Sequence, residues 1–286
     1  MKTCLDCIPC FVRQTLDACR IATDDPAVHE QMVRDALERM SQMDLSLSPP
    51  ALAQQIHRHL REVTGIDDPY RKAKDQHNLM ALQLLPDLRK QVEASSDPLI
   101  TAAHLAIAGN IIDLGVKSGL KESDIHEAIL HATECPLAGD LEAFRTETKR
   151  AKRILYLADN CGEIVFDILL VEQLGPEKVT AAVRGFPVIN DATLVDAQTV
   201  GLDRIVPVIG NGSDAPGTLP ADCSEEFLTH FNTADLIISK GQGNFESLSD
   251  CGQNIFFLFK AKCATAANAV GLPVGTHVLR GGRSCL

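Results

Sequence analysis

The chain has 286 residues, 45% of them hydrophobic, and a formal charge of −11 from 27 Lys+Arg against 38 Asp+Glu. That length supports an ample core, as one large domain or two modest ones. The acidic balance argues against a general nucleic-acid or anionic-membrane surface, and the absence of Trp with only two Tyr argues against a base-stacking platform.

No apolar run reaches the roughly 18 residues of a membrane span, and the N-terminus carries no long apolar signal region, so a cytoplasmic chain is expected. Ten cysteines in such a chain read as reduced, metal-bound or redox-active rather than as a disulfide framework.

The first half reads as helical, with apolar residues three and four apart over residues 10–22 and 27–43. Pro49 and Pro50 break the chain, and 51–64 resumes the pattern. A further helix over 72–85 is closed by Pro86, and the Ala-rich stretch 98–115 reads as a buried helix. A short helix over 123–135 follows, with Ser123 as N-cap. The polar stretch near 140–152 joins the halves, which divides the chain into a helical region 1–150 and an α/β region 151–286.

Beyond Lys152, apolar runs at 154–158, 179–183, 204–208, 236–239 and 255–258 alternate with helical stretches at 163–174, 192–200 and 220–232. The fold class expected is α/β: a mainly parallel, Rossmann-like sheet with helices on both faces and the helical N-terminal part packed against it. Sites in such folds lie beyond the C-terminal strand ends.

The run Ile154-Leu-Tyr-Leu-Ala-Asp159-Asn160-Cys161-Gly162-Glu163 places a carboxylate and a carboxamide where a strand turns into a helix. Hard oxygen ligands suit Mg²⁺ or Mn²⁺, and a helix N-terminus suits a phosphate. An Asp in that position also serves simply as a helix cap. After the second strand, Asn190, Asp191, Thr193 and Asp196 fall at the start of the next helix. They read as caps, or Asp196 joins Asp159 and Asn160 as a third metal ligand. The loop Gly210–Thr218 is glycine-rich without being a P-loop and reads as a turn. Lys240 closes the next strand before Gly241, a pairing that suits a phosphate, and Lys260 and Lys262 follow the last strand. Separately, Cys4-x-x-Cys7-x-x-Cys10 has thiol spacing compatible with Zn or an Fe–S cluster, with a structural set, or with a redox-labile one.

The sequence Asp159-Asn160-x-Gly162-Glu163, the run Arg184-Gly-x-Pro-x-x-Asn190-Asp191-Ala-Thr193 with Asp196, Lys240-Gly241-x-x-Asn244-Phe245 and Lys262 together resemble the damage-control phosphatase family, long catalogued as domain of unknown function 89. The pair Cys7-x-x-Cys10 resembles its prokaryotic, CxxC-bearing subfamily. The resemblance implies one divalent metal (Mn, Mg, Co or Ni) held by Asp159, Asn160 and Asp196, which are then also the catalytic residues. It implies substrate contacts from Glu163, Lys240, Gly241, Asn244 and Lys262, with Asn110 and Asp113 lining the cleft from the helical side. The eukaryotic branch has Arg-Thr-x-Lys near its C-terminus; here the match is Phe259-Lys260-Ala261-Lys262, which keeps only the last Lys.

The expected function is therefore a metal-dependent phosphomonoesterase acting on a small phosphorylated metabolite, such as a sugar phosphate, a phosphopantetheine derivative or a damaged nucleotide. Its nucleophile is a water or the Asp159 carboxylate. Two rival readings are a Rossmann-like nucleotide or S-adenosylmethionine protein, and a cysteine-based metal or redox sensor. Neither a nucleic acid nor a membrane is an expected partner, and the sequence does not reveal an oligomeric state.

Overall fold

A computed structural model describes residues 1–109, 129 and 136–281. Asn110, Asp113 and nearly all of the expected helix 123–135 lie outside them. Among the described residues the chain forms eleven α-helices and seven strands. The helices α1 (Cys7–Ala22), α2 (Pro26–Ser41), α3 (Pro49–Thr64), α4 (Arg71–Ala94) and α5 (Pro98–Ala108) precede β1 (Leu137–Gly139) and α6 (Leu141–Arg150). Then come β2 (Ile154–Leu157), α7 (Glu163–Leu174), β3 (Val179–Val183), α8 (Leu194–Val200) and β4 (Val208–Gly210). The chain continues through α9 (Glu225–Thr233), β5 (Leu236–Lys240), α10 (Gln242–Leu248), β6 (Ile255–Lys260), α11 (Ala264–Val270) and β7 (His277–Gly281).

The strands form one sheet in the order β1-β7-β6-β5-β2-β3-β4. All pairs are parallel except β6 with β7. The expected α/β class, mainly parallel sheet and packed N-terminal helices are all present. Because side chains alternate across a strand, Ile154 and Tyr156 enter one core with α4, α5 and α7, whereas Leu155 and Leu157 enter the other with α9, α10 and α11. A strand apolar on both faces is the mark of a sheet covered on both. The helices α1, α2 and α3 build smaller cores of their own around Phe11, Leu52 and Ile56 and around Cys19, Met32 and Leu60. The sheet draws on both sides of residue 150, since β1 pairs with β7.

Several elements differ from the sequence expectation for physical reasons. Pro49 and Pro50 do not break the chain but start α3, where missing N–H groups cost nothing. Pro86 does not close α4; it sits on the exposed side while Ala81, Leu84, Leu88 and Val92 continue the buried stripe past it. The stretch 204–208 is not the strand. A 3₁₀ turn spans Leu202–Arg204, and β4 begins only after Pro207, which has no N–H to give a ladder. Residues 140–152 are mostly helix α6 rather than a linker.

Chain connections run from β2 outward to β3 and β4 on one side and from β5 to β6 on the other. The direction reverses between β2 and β5, and the carboxyl ends flanking that reversal are where ligands bind in open α/β sheets.

Candidate active site

Asp159 and Asn160 follow β2, and Asp191 comes from the loop after β3. An isolated bridge between Asn160 and Asp191 joins the two segments, reinforced by Cys161 N–H to Asn190 O at 2.9 Å and Ala192 N–H to Asp159 O at 2.8 Å. Between the two carboxylates lies Arg184, buried at the end of β3. Its Nε donates to Asp191 Oδ2 at 2.6 Å and an Nη to Asp159 Oδ1 at 3.2 Å. Asn160 Nδ2 donates to Asp159 Oδ2 at 2.6 Å and to Glu163 Oε2 at 3.3 Å. Burial, with the charges of Asp191 and Glu163, pushes the Asp159 carboxyl up to about 8, against the pull of Arg184 and Lys262. Burial also raises Asp191, partly offset by Arg184.

Asp159, Asn160 and Asp191 floor a cavity of ≈ 430 Å³ whose other walls include Phe11, Pro49 and Pro50 of the helical half and Lys262. Larger grooves of ≈ 580 and ≈ 620 Å³ lie at the N-terminal ends of the strands, around Asp235 and Asn254 and around Lys178 and Val179. The topological argument and the converging acids both favour the smaller one.

Gly241 has φ +82°, and a Cβ there would stand 2.1 Å from Asp159 Cγ, so only a glycine lets the carboxylate lie against this backbone. Ile189 has φ +38°, a region β-branched residues rarely adopt. It packs on the core around Leu60 and Tyr70 and immediately precedes Asn190 and Asp191. Asn190 is 6% exposed and lines the cavity, and its Nδ2 has no hydrogen-bond partner among the described residues.

The other expected site residues are placed differently. Asp196 does not line the cavity. It closes a capping box with Thr193 and takes Arg71 at 2.6 Å, Lys74 at 3.2 Å and Asn78 at 3.2 Å from α4. Burial would raise its carboxyl, but Lys74 and Arg71 outweigh this and hold it at about 2. Asp191, and not Asp196, lines the cavity beside Asp159 and Asn160. Lys240 is fully buried, and its ammonium is consumed by Ala106 O at 2.8 Å, Glu163 at 2.6 Å and Asp167 at 2.6 Å. It steadies Glu163 from behind rather than reaching a ligand. Asn244 accepts from Arg184 at 3.1 Å and Thr218 at 2.8 Å and donates to Lys240 O at 2.8 Å, so it braces Arg184. Gly162 N–H donates to Asn78 Oδ1 at 2.7 Å, and Ile164 N–H to Asn160 O at 3.1 Å. Lys262 is exposed on the cavity wall, its backbone N–H pinned by Gln242 Oε1 at 2.9 Å.

Cys7 and Cys10 line the same cavity, and Cys4 Sγ is 3.6 Å from Cys7 Sγ. Among the described residues no three His, Cys, Asp or Glu side chains converge as a metal-holding group. The pair Asp159 and Asp191 with the carboxamide of Asn160 is a different set, two acids and an amide oxygen, suited to a hard cation. Sequence reasoning names Arg184 and Asp191 only within the family-like run, and Asp191 also as a cap, without giving either a place in the site. The signal for both was present, since each sits in the same strand-edge loop as Asn190.

Nor does any helix among the described residues have the length and apolarity to cross a membrane. The sequence profile described as "Damage-control phosphatase ARMT1-like domain" matches residues 3–278. The chain is 35% identical to a damage-control phosphatase of Archaeoglobus fulgidus, over 98% of this chain and 99% of that one. It is 36% identical to an uncharacterised protein of Methanocaldococcus jannaschii, over 96% and 93% respectively. The crystal structure of a DUF89 family protein from Pyrococcus horikoshii superimposes with a TM-score of 0.91 at 32% identity, covering 99% of each chain. With these likenesses spanning nearly its whole length, the chain belongs to the damage-control phosphatase ARMT1-like family.

Proposed function

We propose that this chain is a metal-dependent phosphomonoesterase for small phosphorylated metabolites, with its centre at Asp159, Asn160 and Asp191. The observation that carries the reading is the convergence of two buried carboxylates and a carboxamide on a cavity floor at the sheet's switch point, with Lys262 on the wall. The donor set fits a divalent cation: all three side chains offer hard oxygens, and one buried guanidinium, Arg184, faces both carboxylates. A Mg²⁺, Mn²⁺, Co²⁺ or Ni²⁺ ion there would act as a Lewis acid on a phosphoryl oxygen.

The chain's own residues supply binding and orientation. The Lys262 ammonium and the Asn190 carboxamide donate to non-bridging phosphate oxygens, where negative charge is held. Arg184 and Asn160 lock the Asp159 carboxylate in one orientation, and Gly241 leaves it room. Phe11, Pro49 and Pro50 provide an apolar wall for the organic part of the substrate.

The test is phosphate release from a panel of phosphomonoesters, metal-free and with each of the four ions. Release should require a metal and vanish in Asp159→Asn and Asp191→Asn while both variants keep the wild-type circular dichroism. Lys262→Ala should raise KM more than it lowers kcat. Full turnover by a folded Asp191→Asn chain would sink the proposed centre.

A further inference from the structure

Three cysteines, Cys7, Cys10 and Cys263, line the cavity without a part in the proposed chemistry, and Cys7 is paired in space with a fourth, Cys4. Cys4 O accepts the Cys7 N–H at 3.0 Å, a turn that holds the two Cα atoms within ~7 Å, close to the span a disulfide bridges. The sulfurs stand 3.6 Å apart. Cys4 Sγ also contacts Thr265 Oγ1 at 3.0 Å, on α11 at the far end of the sequence. Cys7 and Thr265 both line the cavity that Asp159 and Asp191 floor, and Lys262 lies three residues before Thr265. One thiol thus ties the start of the helical half to the segment that carries the cavity's lysine.

The two thiols are chemically unequal. The Thr265 hydroxyl holds the Cys4 thiol below its ordinary value, whereas burial pushes Cys7 up to about 12. An attacking thiol of low pKa beside a resolving partner is the arrangement thiol–disulfide exchange requires.

We propose that Cys4 and Cys7 form a reversible thiol–disulfide couple in the cavity wall, and that its closure releases Thr265 and loosens residues 261–265. The oxidant is a small-molecule disulfide such as oxidised glutathione. The Cys4 thiolate attacks one of its sulfurs, the S–S bond breaks, and one glutathione thiolate leaves. Cys7 then loses its proton and attacks Cys4 Sγ in the mixed disulfide, expelling the second glutathione. The two cysteines lose two electrons, the oxidant gains them, and the two protons end on two glutathione thiols. Cys4 Sγ, now bonded to Cys7, no longer pairs with Thr265. The Lys262 segment loses a tether, and affinity for an anionic ligand falls.

The experiment uses the full chain equilibrated with reduced or oxidised glutathione, alkylated, and mapped by peptide mass. Hydrogen exchange is followed over residues 261–266. The expected result is a Cys4–Cys7 linkage, faster exchange in that segment, and reversal by dithiothreitol. Cys4→Ser, whose hydroxyl can still pair with Thr265, should make the segment's exchange insensitive to oxidised glutathione, and Cys10→Ser should still form the linkage. A Cys7–Cys10 or Cys10–Cys263 linkage, no linkage at all, or a Cys4–Cys7 linkage with unchanged exchange would each overturn the proposal. The effect on ligand affinity rests on the phosphatase reading and is read as a several-fold rise in KM for the best phosphomonoester on oxidation. An unchanged KM in the active, oxidised chain overturns that coupling. Mapping and exchange need no turnover, so failure of the phosphatase reading is seen separately.

Discussion

Two aspartates five residues apart end in opposite settings, and the difference is one of neighbours. Asp191 faces the cavity beside Arg184, whereas Asp196 faces α4, where Arg71 and Lys74 bind it. Lys74 is fully buried and, among the described residues, has Asp68 and Asp196 as its salt-bridge partners. Asp196→Ala should therefore destabilise the fold by about 3–5 kcal/mol, the cost of leaving a buried charge short of its partner. Urea unfolding measures this, and a loss under 1 kcal/mol would mean that Lys74 relaxes to water. At Gly241 the prediction concerns activity. Gly241→Ala should cut phosphate release on the order of 10²-fold, the scale for displacing a reacting group by about 1 Å, because the new Cβ collides with Asp159. Near-normal turnover would show that the Asp159 position is not critical.

At the scale of elements, what was legible from the sequence was what is local. The strand β3 and the helix α7 occupy the ranges their periodicity indicates, because an apolar run or a helical stripe needs no information from afar. Misreadings gathered at prolines. In α4 the helix survives Pro86 because its buried stripe packs on α7 and α5, and tertiary packing rather than propensity decides most helices. Pro86→Ala should restore one backbone N–H and relieve the ring clash. We expect a gain of up to about 3 kcal/mol, read as a higher urea midpoint, and no gain would indicate that α4 already absorbs the ring. The short β1 and the antiparallel β7 were not anticipated. Three residues of β1 carry too little pattern to be seen, and β7 gains its place by pairing with β6 on one side and β1 on the other.

In the whole molecule, two buried aspartates help the helical half grip the sheet's C-terminal edge. One grip is Asp196 on α4. The other is Asp214, in the loop that read as a simple turn, which takes Gln54 at 2.6 Å, Arg58 at 2.6 Å and Arg61, all from α3. Beside this second grip lies His57, held down to about 4 by burial and by Arg61, against the opposing charge of Asp214. His277, which contacts His104, is also held down to about 4 by burial. A histidine whose folded value lies below its unfolded 6.5 binds its proton more readily when unfolded. Each is neutral in both states above pH 6.5, and stability is lost as the pH falls from there towards 4, by at most about 1.4 kcal/mol per unit per residue. The difference in pH slope between the wild type and His57→Phe, taken from unfolding curves, isolates this share, and identical slopes would refute it. By itself the sequence determined the class of fold and the strand-to-helix turn that presents Asp159 and Asn160, because periodicity and chain reversal are written in neighbouring residues. Only the tertiary structure decided that Asp191 rather than Asp196 faces the cavity, that Lys240 is spent on Glu163 and Asp167, and that Cys7 shares a wall with the acids. Those outcomes depend on where side chains from α1, α4 and α7 arrive, and contacts between residues so distant in the chain exist only once the core has closed.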